Sequence, residues 1–191
     1  MCGIAGYFNP DQNYAENPKQ NFHTLSRMIN TMNHRGPDTY GHTIINSCCL
    51  AHTRLSIIDL ENGRQPMSYT KDGNTYYIVY NGEIYNYKEV KKTLLRKNYT
   101  FETNSDTEVI IAAFCHYGPG FVKELNGIFA IAIYDSMRNT LYLYRDRFGV
   151  KPLYYTKTGD TLVFASRIDT LFEYPRVRPC IDMNSFNEIF S

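Results

Sequence analysis

A chain of 191 residues with a formal net charge of +1 is long enough for one domain with a sizeable core, and it carries no charge excess that would draw it to nucleic acid or an acidic membrane surface. Its 43% hydrophobic and 20% charged residues are the balance of a soluble globular protein, and no apolar run reaches bilayer-spanning length. The five cysteines (Cys2, Cys48, Cys49, Cys115 and Cys180) are odd in number and lack zinc-ligand spacing, and MCGIAGYF is not a signal peptide, so a reduced, cytoplasmic protein is expected.

In chain order, residues 2–8 read as a strand and NPDQNYAENPKQ as a polar loop. Phe22, Leu25, Met28, Ile29 and Met32 keep helical spacing, which predicts a helix over 21–33. HRGPDTYG is expected to be a loop because of Gly36 and Pro37. Strands are expected at 49–52 and 75–80, with a long irregular stretch over 57–74 between them. Asn86 with Glu89, and Ser105 with Glu108, have capping-box spacing for two helices, and a short third helix is expected near 119–125. FAIAIYD with TLYLYRD, and PLYYT with TLVFAS, read as hairpins, and 177–181 as a last strand. Mixed strands and helices with many hairpins point to an α+β fold with antiparallel sheets and outer helices.

Cys2 is the sharpest chemical feature. Removal of Met1 would leave Cys2 with a thiol and a free α-amine on one residue. A thiol titrates near ~8.5 and an α-amine near ~7.7–8.0, so the amine can take the thiol proton. Nucleophile and base then share one residue, with a bridging water between them. Met-Cys alone favours a small buried residue in the first strand.

MCGIAGYF, HRGPD, AHTRLSIIDL, GRQPM, YNGEIYNY, SDTE, LNGIFAIAIYD and RDRFGVKPLYY together resemble the class II glutamine amidotransferases, and most of all the N-terminal glutaminase domain of asparagine synthetase B. The resemblance runs over nearly the whole chain in the family's order. It implies a four-layer αββα sandwich of the N-terminal-nucleophile hydrolase type. It also implies a Cys2 thiolate that attacks the side-chain amide of glutamine, releases ammonia and leaves a thioester for water. Asn81 and Gly82 would form the oxyanion hole, although Asn-Gly standing alone reads as a hairpin turn. Arg54 would clamp the α-carboxylate, Asp106 the α-ammonium, Glu83 would be a second acceptor, and Ile57 and Ile58 would hold substrate through their backbone. Without the resemblance, Arg54 reads as a strand-edge cation, Asp106 as a helix N-terminal acid, and the two isoleucines as strand packing.

Supporting roles are assigned elsewhere. Arg35, Gly36 and Asp38 would form a tight turn with a charge pair fixing Cys2. Arg145 and Asp146 are expected to be an ion pair, and Cys48 and Cys49 two buried small side chains. The scattered histidines suggest no metal site, with His52 in a packing or hydrogen-bonding role. Residues 1–191 are expected to be one glutaminase domain. A Ser-Gly-Gly-x-Asp-Ser pyrophosphatase loop is absent, so no C-terminal synthetase domain is expected in this chain, and ATP and magnesium would belong to that domain alone. Expected partners are L-glutamine, the missing synthetase domain and a second copy in a homodimer through apolar surface. The alternatives are the glutaminase half of another amidotransferase, or a non-catalytic regulatory module of the same fold.

Overall fold

The computed structural model describes residues 1–55 and 63–180. Two antiparallel sheets stack face to face. Sheet A has the order β2-β3-β1-β9-β8, formed by β1 (Gly3–Phe8), β2 (Thr39–Ile45), β3 (Cys48–Arg54), β8 (Tyr154–Thr158) and β9 (Thr161–Ala165). Sheet B has the order β4-β5-β6-β7, formed by β4 (Met67–Lys71), β5 (Asn74–Ile84), β6 (Gly127–Asp135) and β7 (Thr140–Arg145).

Helices α1 (Pro18–Met32) and α4 (Ile168–Leu171) flank sheet A, and α2 (Tyr87–Leu95) and α3 (Asp106–Tyr117) flank sheet B. Strand alternation supplies the cores between these layers. On β5, Val79 joins Ile4, Leu50, Ala132 and Phe164 between the sheets, while Ile78 and Tyr80 face the Val109–Phe114 stretch of α3. On β1, Ile4 faces sheet B, while Ala5 and Tyr7 face Leu25, Met28 and Met32 of α1. This is the αββα sandwich expected of the family.

Both hairpins form, with Asp135 opposite Thr140 and Thr158 opposite Thr161. Other local expectations need correction. Residues 39–45 form a strand, not a continued loop; β2 is an edge strand with no fully buried side chain, so it lacks an apolar alternation. Residues 67–71 are also a strand, which shortens the irregular stretch. The described part of 177–180 is not a strand; Val177 instead packs with the α1 core. Asn86 makes no cap bond, because its amide donates to Glu124 O at 2.9 Å and accepts from Asn126 N at 2.8 Å. Ser105 does cap α3, accepting from Thr107 N at 3.2 Å, but Glu108 turns to the backbone of Glu102 and Thr103 rather than closing a box.

Arg145 and Asp146 do not pair with each other. Each organises the following loop through its own backbone partners. Arg145 donates to Lys151 O at 2.9 Å and Gly149 O at 2.7 Å. Asp146 Oδ1 accepts from Phe148 N and Val150 N, and Oδ2 from Phe129 N and Lys151 N, at 2.9–3.2 Å. Burial alone would raise the Asp146 carboxyl, but these four donors outweigh it and hold it below the usual carboxylate range. Asp146→Asn would turn an amide N–H₂ toward two backbone N–H groups, leaving them unsatisfied, and should cost roughly 1–3 kcal/mol. Because the native carboxyl is depressed, the wild-type advantage should be full at neutral pH and fade as pH falls through that depressed value. Urea unfolding of both proteins at neutral and acid pH checks the sign.

Candidate active site

Cys2 lies immediately before β1 and is partly buried. Its thiol donates to Leu55 O at 3.6 Å, and its sulfur accepts from Leu55 N at 3.4 Å. Once the thiol proton leaves, the Leu55 N–H remains as a donor to the sulfur. Arg35 donates from Nε to Cys2 O at 3.1 Å, and Asp38 N bonds Arg54 O at 3.1 Å. A Cβ at Gly36 would lie 2.4 Å from Thr53 C and 2.5 Å from Arg54 N, so only glycine lets the HRGPD loop press against β3 there. The loop therefore holds the terminus through backbone contacts: Arg35 reaches Cys2 itself.

A pocket of about 80 Å³ opens at this point. It is lined by Cys2, by Arg54 and His52 of β3, by Gly82 and Glu83 of β5, and by Asp106 at the start of α3, together with Leu55, Gln65 and Tyr80. Five of the residues singled out from the sequence thus meet in one pocket: Cys2, Arg54, Gly82, Glu83 and Asp106. Arg54 and Asp106 are each only 6% exposed, so a cation and an anion sit in a setting where water screens little. Glu83 is exposed at the rim. Ile57 and Ile58 lie outside the described residues.

Asn81 does not line this pocket. It sits on the face of β5 that looks toward sheet A, the same face as Val79, and is 2% exposed with Nδ2 lacking a hydrogen-bond partner. A buried amide donor without an acceptor is costly and uncommon. The Asn-Gly pair makes no turn: Asn81 pairs with Ala130 and Gly82 with Phe129 inside the β5–β6 ladder. At Gly82 the need for glycine comes from the neighbouring strand, since a Cβ would lie 2.2 Å from Ile128 O.

Several groups at the site escaped the sequence reading. Tyr80 donates from its hydroxyl to Asp106 Oδ2 at 2.8 Å, and Ile84 N reaches the same oxygen at 3.4 Å. Burial raises the Asp106 carboxyl above the usual range, with these donors partly offsetting it. Gln65 accepts from Tyr80 N at 2.6 Å and donates to Thr107 Oγ1 at 3.2 Å, tying the 63–66 segment to β5 and α3. Gln65 lies in the GRQPM block, but nothing in its spacing points to these two partners. His52 Nε2 lies 3.2 Å from Tyr80 O. A carbonyl can only accept, so Nε2 carries the proton. Burial lowers the His52 pKa to about 3, so the ring is neutral, in the hydrogen-bonding role expected for it. Among the described residues no cluster of His, Cys, Asp and Glu could hold a metal ion, and no helix is long and apolar enough to cross a membrane. Cys48 and Cys49 are buried free thiols within β3.

The family model described as "Glutamine amidotransferase domain" matches residues 1–191. The chain belongs to the glutamine amidotransferase domain family. This glutamine amidotransferase domain is 40% identical over 190 residues to asparagine synthetase [glutamine-hydrolyzing] 3 of Bacillus subtilis (strain 168), covering 100% of this chain and 30% of that protein. It is also 40% identical over 165 residues to asparagine synthetase B [glutamine-hydrolyzing] of Escherichia coli (strain K12), covering 85% of this chain and 28% of that one. The amidotransferase domain thus spans less than a third of the length of these relatives. Among solved structures, the glutamine phosphoribosylpyrophosphate amidotransferase of B. subtilis, complexed with ADP and GMP, superposes with a TM-score of 0.68 at 20% identity, over 88% of this chain and 42% of that chain. At that identity the likeness speaks for the shared N-terminal-nucleophile hydrolase fold alone.

Proposed function

We propose that this chain is a glutaminase domain that hydrolyses the side-chain amide of L-glutamine to glutamate and ammonia. The observation that carries this reading is the pocket in which buried Arg54 and Asp106 stand beside the Cys2 thiol. Arg54 takes the α-carboxylate and Asp106 the α-ammonium, through the carboxylate oxygen that Tyr80 and Ile84 leave open. Glu83 assists at the rim, with Ile57 and Ile58 as backbone contacts.

Removal of Met1 frees the α-amine of Cys2, which takes the thiol proton through a water molecule. The thiolate attacks the carboxamide carbon, and the oxyanion forms against Asn81 Nδ2 and Gly82 N–H. Asn81 stands outside the pocket lining, and what supports this role is its buried Nδ2 without an acceptor. The C–N bond then breaks, ammonia leaves with the proton held by the amine, and water hydrolyses the thioester to glutamate. In this reading the domain needs no cofactor. Its ammonia passes to a synthetase domain that makes asparagine from aspartate with ATP and magnesium.

Intact mass, to establish Met1 removal, combined with an ammonia assay tests the proposal. Processed protein should release ammonia from glutamine but barely from asparagine. With the α-carbon end fixed by Arg54 and Asp106, the shorter amide falls short of Cys2 by about 1 Å, which costs on the order of 10²-fold. Equal turnover of the two amides, or full activity with Met1 attached, would sink it.

A further inference from the structure

Tyr80 is tied at three points by side chains from three different parts of the chain. Its backbone N–H donates to Gln65 Oε1 at 2.6 Å, its carbonyl accepts from His52 of β3 at 3.2 Å, and its hydroxyl donates to Asp106 Oδ2 of α3 at 2.8 Å. The first two bonds stand where the β4–β5 ladder has run out, since Met67 opposite Ile78 is its last pair toward the pocket. The ring is 3% exposed and lies against Gly82, where a Cβ would come 2.7 Å from Tyr80 Cε2. A ring packed that closely, on a backbone held at both its polar groups, delivers the hydroxyl to one place.

That place is one oxygen of a buried carboxylate. Asp106 is 6% exposed, and an anion there gives up most of its hydration. Backbone N–H groups offset part of this cost: that of Ile84 reaches Oδ2 at a longer 3.4 Å, and those of Asp106 and Thr107 also favour the charged form. The Tyr80 hydroxyl adds a side-chain donor at short range, and hydrogen bonds to a charged group carry more energy than neutral ones. Cys2, the neutral His52, Arg54 and Glu83 share the pocket with this carboxylate. Among the described lining residues Glu83 is the one other carboxylate, and it is exposed at the rim. Recognition of a desolvated ammonium therefore falls to Asp106, in whatever state Tyr80 keeps it.

We propose that Tyr80 is a positioning residue that sets selectivity for the α-ammonium: its hydroxyl holds the Asp106 carboxylate charged and aimed, so that the pocket takes carboxamides carrying an ammonium over those that lack one. This role rests on the glutaminase reading, with Asp106 as the partner of the ammonium. Without the hydroxyl, the buried carboxylate keeps a proton more readily or turns its charge away, and the ammonium loses its partner. A substrate with no ammonium loses nothing by the same change, because a protonated Asp106 suits it better than an unpaired anion. A residue that merely filled space would, on removal, weaken both substrates alike.

Ammonia release from glutamine is to be compared with release from glutaramate, the same carboxamide without the α-amino group. Processed wild type should prefer glutamine by at least about 10²-fold in kcat/KM, because a site built around a polar group rejects analogues that leave it unpaired. Tyr80→Phe keeps the ring and both backbone bonds. It should narrow the preference about tenfold, through a higher KM for glutamine with kcat nearly unchanged, and should move glutaramate by less than about twofold. In Asp106→Asn protein the preference should be gone, and the added Tyr80→Phe should change nothing further. Tyr80→Met, which also lacks the hydroxyl, takes its place should thermal unfolding show that Tyr80→Phe does not fold. Calorimetry in the Cys2→Ala background repeats the comparison on binding alone. Selective binding that narrows with Tyr80→Phe, beside a wild type that releases no ammonia, supports the positioning role and sinks the glutaminase reading alone. A wild type without preference, equal losses for the two substrates, or a further narrowing in Asp106→Asn protein overturns the proposal.

Discussion

Cys2→Ala protein should release no ammonia from glutamine above background, a loss on the order of 10⁴–10⁶-fold in kcat if Cys2 is the nucleophile. The substitution removes the sulfur but leaves Arg54 and Asp106 in place. Arg35 bonds the Cys2 carbonyl and not its side chain, so the terminus stays held. Arg54 and Asp106 are on β3 and α3 and do not depend on the thiol for their placement. Glutamine should therefore still bind, and calorimetry on the inactive variant would report it. Turnover near the wild-type rate would identify a different nucleophile. Lost binding together with lost turnover would mean that the thiol shapes the pocket.

Asn81→Ala should lower kcat for glutamine by about 10²–10³-fold with KM little changed, the signature of a donor that acts on the transition state. Stability gives an independent readout. Most buried polar residues stabilise the fold through a bond, and their removal costs that bond and more. Asn81 Nδ2 has no partner to lose, so the unfolding free energy should shift by no more than about 1 kcal/mol. A rate loss without a stability loss marks a group kept for chemistry at some expense to the fold. If denaturant melts instead showed a large destabilisation with turnover intact, Asn81 would be a packing residue.

What the chain revealed before its fold was known followed from the range of the interactions involved. Helix α1 and the two hairpins were readable because their signals are local: a 3.6-residue repeat, or two β-rich runs around a short turn. Cys2, Arg54, Gly82, Glu83 and Asp106 were readable only as parts of a resemblance spread over the chain. Taken singly, each has an ordinary structural explanation, and β3, β5 and α3 must fold together before they share a pocket. The edge strand β2 escaped because its half-exposed residues carry no alternating pattern. The roles of Leu55, Gln65 and Tyr80 escaped because their partners are 53, 15 and 26 residues away, and a backbone amide or a glutamine carries no residue-type signature. The reading of Arg145 with Asp146 failed for the opposite reason. Adjacent opposite charges suggested each other, whereas consecutive positions leaving a strand point apart and each found backbone groups instead.

The bond from the His52 ring to Tyr80 O joins β3 of one sheet to β5 of the other, at the residue that precedes Asn81. With its ring neutral down to strongly acid conditions, this strap does not let go as protons become plentiful. The spacing between the layer whose first strand follows Cys2 and the layer that carries Asn81 is thus insulated from acidity. Any inflection in turnover across mildly acidic solutions should belong to another group, with the buried carboxyl of Asp106 as the first to examine. His52→Gln should leave the position of that inflection unmoved.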